Sequence, residues 1–240
     1  MPEMFGRVNR ATAATLAAAG TEVSCAAGHV CCGALHAHNG DLSGARDLAR
    51  KTIEAFESLE GPIVVNSAGC GAHMKEYGRL LAEDEAWRER AERFDSRVVD
   101  YTEYLSSPER LARLRSSLEA LPDLRVTWDD PCHLCHGQQL RDPGRELIDA
   151  IEGVERVEMQ RPESCCGSAG IYSLLRPTDS RAVLEPKLAE LGDTGAEVLV
   201  TANPGCQLQW AAGVRRQGAG VEVLHVAELL ERALKDDTQT

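Results

Sequence analysis

The stretch Val198-Leu199-Val200-Thr201-Ala202-Asn203-Pro204-Gly205-Cys206 starts as an unbroken apolar run and ends in a turn that carries a cysteine. Ile63-Val64-Val65-Asn66-Ser67-Ala68-Gly69-Cys70-Gly71 repeats the plan in the first half of the chain. A short continuous apolar run reads as a strand covered on both faces, the pattern of parallel sheets. An amphipathic helix precedes each stretch, and a Cys-Cys-Gly loop precedes each helix, at Cys31-Cys32-Gly33 and Cys165-Cys166-Gly167. Cys32 lies 38 residues before Cys70, and Cys166 lies 40 before Cys206. The repeat predicts an α/β protein of two tandem units with small parallel sheets. Its cysteines then fall at the carboxyl ends of strands, where such sheets bind ligands.

Outward from these stretches, residues 3–19 read as a helix and Thr21 to Cys25 as a short strand, with Cys25 a buried small hydrophobe. A helix is expected over Ala34 to His38. Leu42, Ala45, Ala49, Phe56 and Leu59 mark one face of a long helix that Gly61-Pro62 ends. Residues 76–120 are charged and helical with a break at Pro108, which places a first unit at 1–107 and a second at 108–240. In the second, Leu124 to Trp128 reads as a strand, left by the loop Asp129-Asp130-Pro131-Cys132-His133. Leu140, Leu147, Ile148 and Ile151 form a helix face, and Val154 to Met159 a strand. A helical pattern then runs to Leu191, interrupted at Pro177 and Pro186, before a last strand, Val221 to Leu224, and a helix to about Leu234. A first-half counterpart of Cys132 would fall before Met1, so the first unit is expected to lack its opening strand and one ligand.

The net charge of −12 excludes the basic footprint that nonspecific nucleic-acid binding needs. No run reaches the ~18 apolar residues of a membrane span. Phe5, Val8 and Leu16 share a helical face, so the segment with Arg7 and Arg10 reads as an amphipathic helix rather than a targeting peptide. These features fit a cytoplasmic protein. Nine clustered cysteines without a secretion signal point to metal or redox chemistry rather than to a disulfide framework.

Neighbouring thiols do not readily bridge to each other; their chemical use is to place two thiolates on one metal centre. Cys132, Cys165, Cys166 and Cys206 converge from three loops, with Cys135 close by, and suit an iron–sulfur cluster. Zinc takes four thiolates too, but only Cys132-His133-Leu134-Cys135 has the knuckle spacing. That run, with His136, also spells the c-type haem pattern and a thioredoxin-like dithiol. Cys31, Cys32 and Cys70 make a smaller first-half set. His29, His36, His38 and His73 read as surface or packing residues, with His73 placed to stand in for a missing thiolate. Tyr77, Tyr172 and Trp210 read as core or as shields of the site. The Asp130-Pro131 and Asn203-Pro204-Gly205 turns leave N–H groups free for sulfur, and Gly167 and Gly205 permit close backbone approach. No Walker loop, dinucleotide signature or acid–base constellation is present.

These motifs resemble the cysteine-rich "CCG" domain found twice in a subunit of heterodisulfide reductase and in the iron–sulfur subunit of glycolate oxidase. The resemblance runs through Cys31-Cys32-Gly33-Ala34-Leu35, Ser67-Ala68-Gly69-Cys70-Gly71, Cys165-Cys166-Gly167-Ser168-Ala169-Gly170-Ile171-Tyr172-Ser173-Leu174-Leu175 and Thr201-Ala202-Asn203-Pro204-Gly205-Cys206-Gln207-Leu208. It implies electron transfer from a flavin-containing (FAD) partner that oxidises a 2-hydroxy acid, glycolate foremost, to a quinone-like acceptor. It also implies a [4Fe–4S]-type cluster on Cys132, Cys165, Cys166 and Cys206, and a place in the cytoplasm or on the inner face of the membrane. The heterodisulfide-reductase motif ends Cys-x-x-Cys; here the ends read Cys70-Gly71-Ala72-His73 and Cys206-Gln207-Leu208-Gln209. The ferredoxin-like domain of the glycolate oxidase subunit has no match, so the chain looks like the carboxyl-terminal part of such a subunit. Two other readings stand beside this one: a thiol or heterodisulfide reductase acting at the Cys-Cys site, and a structural zinc protein.

Overall fold

The structure, a computed structural model, describes residues 4–235. The chain divides into two compact units, Ser24–Tyr101 and Met1–Val23 with Thr102–Thr240. The division differs from the expected cut after residue 107, because the opening helix buries its apolar face in the second unit. That helix, α1 (Gly6–Ala18), turns Val8, Ala11, Thr12, Thr15 and Leu16 inward on one face. The Thr12 and Thr15 hydroxyls donate to Val8 O at 2.8 Å and Ala11 O at 2.7 Å, so neither carries an unmet donor into the packed face. The face packs against the last helix of the chain. Removing Val8 and Leu16 from water stabilises that packing by roughly 2 kcal/mol each.

The smaller unit holds α2 (Ala34–His38), α3 (Leu42–Glu57), β1 (Ile63–Val65), α4 (Ala68–Met74), α5 (Tyr77–Leu80), α6 (Arg88–Asp95) and β2 (Val98–Asp100). Asp41 caps α3 by accepting from Gly44 N at 2.9 Å. β1 and β2 pair in parallel, Ile63 against Val98 and Val65 against Asp100. Tyr77 stacks on Phe94 at 5.2 Å over a core that includes Ala49, Ile53 and Ile63. Residues 21–26 form no strand, and Cys25 is exposed rather than buried. Among the described residues that segment has no ladder to join, and a lone strand leaves its backbone groups to solvent.

The larger unit continues with α7 (Tyr101–Leu105), α8 (Pro108–Ser116), β3 (Leu124–Trp128), a π-helical turn at His133–Gly137, and α9 (Pro143–Asp149). β4 (Val154–Val157), α10 (Tyr172–Leu175), α11 (Pro177–Thr194), β5 (Val198–Thr201), α12 (Pro204–Gln217), β6 (Glu222–His225) and α13 (Val226–Arg232) complete it. Four parallel strands lie in the order β4-β3-β5-β6, with Trp128 beside Val200 and Val198 beside Glu222. The chain leaves β3 toward β4, then crosses back to β5, so the strand order reverses between β3 and β5. That reversal opens a crevice past their carboxyl ends.

Pro177 starts α11, where its missing N–H costs nothing, but Pro186 lies inside the helix rather than ending it. Leu184, Lys187, Leu188 and Leu191 bury one side of α11 and hold it helical despite the lost bond. Among the described residues no helix is long and apolar enough to cross a membrane.

Candidate metal centre

Each cysteine of the larger unit sits just past a strand's carboxyl end. Cys132 follows β3, Cys165 and Cys166 follow β4, and Cys206 lies in the first turn of α12 after β5. Cys166 Sγ donates to Cys206 Sγ at 3.0 Å. Cys132 and Cys166 also interact with the Cys165 thiol, so the four sulfurs neighbour one another in the order Cys132, Cys165, Cys166, Cys206. Cys166 and Cys206 belong to the apolar core with Leu184, Leu199 and Trp210, whereas Cys165 is exposed and Cys132 half-buried. The string has a dry floor and an open rim.

Hydrogen bonding and charge make the rim thiol acidic. The neighbouring Cys132 and Cys166 thiols first, then Gly167 N–H at 3.3 Å and the Lys187 ammonium, hold Cys165 down at about 2. Cys132 and Cys166 are pushed up by their interaction with Cys165 and by burial, Cys166 also by its bond to Cys206. Asn203 Nδ2 donates to Cys206 Sγ at 3.4 Å, and His133 Nδ1 lies 3.7 Å from Cys132 Sγ. Cys135, inside the π-helical turn, points its thiol at Asp130 O instead, at 3.9 Å.

The loops are held from below. Gly167 has φ +81°, and a Cβ there would lie 2.4 Å from Ser180 O on α11. Ser180 Oγ donates to Gly167 O at 2.7 Å. Asp130 is 3% exposed and takes a bidentate bond from Arg145, at 3.0 and 2.8 Å, plus one from Trp128 Nε1 at 2.6 Å. Lys187, 2% exposed, donates to Asp129 Oδ1 at 2.6 Å, Pro162 O at 2.9 Å and Ser164 O at 2.6 Å. These braces were not anticipated from the sequence. A lysine in a helical pattern reads as solvated, and only its i+7 spacing from Ser180 on the buried face of α11 gives it away.

The smaller unit gathers Cys31, Cys32 and Cys70. Interaction with Cys32 holds Cys31 down at about 5 and Cys70 at about 7, while Cys32 itself is pushed up. Tyr77 OH donates to Cys32 O at 2.6 Å. His73 packs edge-on against Tyr77 at 5.5 Å, and its Nε2 is buried with no hydrogen-bond partner. Tyr77 and Trp210 are core residues as expected, but Tyr172 is exposed at the surface, on a helix too short to fold its ring inward.

The donor set fits an iron–sulfur cluster, whose usual ligands are four cysteine thiolates with hydrogen bonds to sulfur. Among the described residues no three His, Cys, Asp or Glu side chains enclose one point as a single-ion cage. The Cys166–Cys206 bond needs a thiol proton, which metal binding removes.

Fold and site together define a parallel α/β protein that gathers cysteines past its strand ends. The chain belongs to the cysteine-rich domain family (CCG), which it matches over residues 1–75 and 126–210. It is 38% identical over 236 residues to the probable glycolate oxidase iron-sulfur subunit of Bacillus subtilis, covering 97% of this chain and 52% of that protein. Lactate utilization protein A of Bacillus licheniformis is 29% identical over 229 residues, 95% of this chain and 94% of that one. A subunit of the fumarate reductase (CoM/CoB) of Methanothermobacter marburgensis is 31% identical over 220 residues, 91% of this chain and 41% of that one. The chain thus spans about half the length of the Bacillus subtilis relative.

Proposed function

We propose that this chain is the iron–sulfur electron-transfer subunit of a flavin-dependent 2-hydroxy-acid dehydrogenase, with Cys132, Cys165, Cys166 and Cys206 holding a [4Fe–4S]-type cluster. The observation that carries the reading is the string of four sulfurs from three strand ends at the crevice where strand order reverses. A cluster bound there supplies one-electron redox chemistry. The chain's own residues ligate through thiolates, shield the floor with Trp210 and Leu199, and direct Gly167 N–H and Asn203 Nδ2 at sulfur. Oxidation of the hydroxy acid falls to a partner subunit bearing FAD, and a quinone-like acceptor takes the electrons, on the cytoplasmic side of the membrane. The names of the relatives point to glycolate or lactate as the acid. Cys31, Cys32 and Cys70 offer a second, three-thiolate site.

The test is iron and acid-labile sulfide on anaerobically purified protein, wild type beside Cys166→Ser. About four iron per chain, lost in the variant, supports one centre in the larger unit, and about eight adds a second in the smaller. Zinc in place of iron after anaerobic reconstitution overturns the reading in favour of a structural zinc protein. Reduction of a disulfide substrate without any flavoprotein would support the reductase reading instead.

A further inference from the structure

One buried ion pair, Lys187 with Asp129, ties all three cysteine-bearing loops together. Lys187 Nζ bonds Ser164 O, the carbonyl immediately before Cys165, and Pro162 O in the same loop. Its carboxylate partner, Asp129, lies three residues before Cys132 and accepts from Thr201 Oγ1 at 3.1 Å, at the end of the strand that leads to Cys206. Asp129 N donates to Val200 O at 2.9 Å, and Asp130 N to Pro162 O at 3.1 Å, closing the same three loops through the backbone. Neither member of the pair touches solvent, with exposures of 2% and 1%. A buried ion pair of this kind is weak evidence for stability, because apolar residues in its place commonly do as well. Its retention here calls for a role in the site.

The smaller unit supplies the contrast. Gly33, with φ +84°, approaches Ala45 on α3 as Gly167 approaches Ser180 on α11. Seven residues beyond Ser180 stands Lys187; seven beyond Ala45 stands Thr52, which is buried and neutral. The same scaffold therefore carries a fixed charge under one thiolate site and none at the matching place under the other.

We propose that Lys187, with Asp129, is the positioning residue of the larger unit's thiolate site, locking its three loops in register and setting the local field on Cys165, Cys166 and Cys206. The first part stands on geometry alone; the effect on a bound cluster rests on the function proposed above. Reduction potentials of iron–sulfur centres follow net charge and hydrogen bonding around the sulfurs, so opposite charge changes at the pair act oppositely.

The experiment compares wild type with Lys187→Met, Asp129→Asn and the double variant, which leaves no orphaned charge and keeps the fold measurable. In metal-free protein, amide hydrogen exchange in residues 163–168 and 202–206 of the double variant is expected to speed by about tenfold or more, with α1 unchanged. Unchanged exchange, or an equal rise throughout the larger unit, overturns the positioning role. In iron-loaded protein, Lys187→Met is expected to lower the midpoint potential and Asp129→Asn to raise it. Each shift corresponds to about tenfold in the reduction equilibrium, about 59 mV for one electron. Shifts of one sign in both, or none, overturn the charge-setting role. A wild-type protein that takes up no iron sinks the cluster reading, while the exchange result still decides the positioning role.

Discussion

Cys166 and Cys206 stand 40 residues apart in sequence, yet the thiol of one bonds the sulfur of the other at 3.0 Å on the floor of the site. Cys165 beside them is exposed, and the neighbouring Cys132 and Cys166 thiols hold it down as a thiolate. A mild oxidant acting on metal-free protein is therefore expected to attack the exposed Cys165 thiolate first and to link it to the neighbouring Cys132, the two thiol protons and two electrons passing to the oxidant, while the buried thiols Cys166 and Cys206 react later. Peptide mapping of the oxidised protein reads the result. A first bridge between Cys165 and Cys166, or one involving Cys135, would count against the arrangement described here.

The two Cys-Cys-Gly loops differ in how tightly they press on the helix beneath. A Cβ on Gly167 would meet Ser180 O at 2.4 Å, whereas one on Gly33 would meet Ala45 O at 3.2 Å. Both glycines have positive φ, so alanine at either position carries about 1–2 kcal/mol of backbone strain. Gly167→Ala adds a backbone clash and is expected to cost about 3 kcal/mol or more in total, clearly more than Gly33→Ala. Urea midpoints of the two variants check the order; equal losses would show that the loop yields freely against α11.

Most of this architecture was legible in the sequence, and the exceptions have physical causes. Ile63–Val65 and Val198–Thr201 announce themselves because a strand covered on both faces must be apolar throughout. β2 did not: Val98 and Val99 are too few, in too charged a stretch, to show any period. Thr21 to Cys25 carried a strand's composition and formed none, since pairing partners decide strands and composition does not. The four candidate ligands could be read from spacing and from a family resemblance. Arg145, Lys187 and Asp129 could not, because a charged residue is assigned to the surface until tertiary structure supplies its buried partner.

Arg145 illustrates that hidden class. Its guanidinium, 18% exposed, grips both oxygens of Asp130, two residues before Cys132. Arg145→Met takes away that grip and leaves the buried carboxylate with the Trp128 Nε1 bond, at an expected cost of about 3 kcal/mol. Arg145→Met with Asp130→Asn is expected to recover most of that loss, because the orphaned charge goes with its partner. Chemical denaturation of the single and double variants gives both values, and a single variant within about 0.5 kcal/mol of wild type would refute the brace.

His73 supplies a pH dependence in the smaller unit. Burial first, and then the neighbouring His38, hold its imidazole down at about 4 against an ordinary value of 6.5. The unfolded chain therefore takes up a proton from pH 6.5 downward, while the folded unit does not until about 4. Stability from this group is complete above the unfolded value and falls as pH drops through that window. The side chain is only partly buried, so solvent screening keeps the loss below the full value of the shift. In metal-free protein the urea midpoint is expected to decline between about pH 7.5 and about pH 5, and to decline less in His73→Leu. Cys31 and Cys70, also held down, give a slope of the same sign, since their thiolates are lost as acid is added. The variant separates the contributions, because it removes the imidazole and keeps both thiols. An identical slope in wild type and His73→Leu would show that His73 takes up its proton as readily in the fold as out of it.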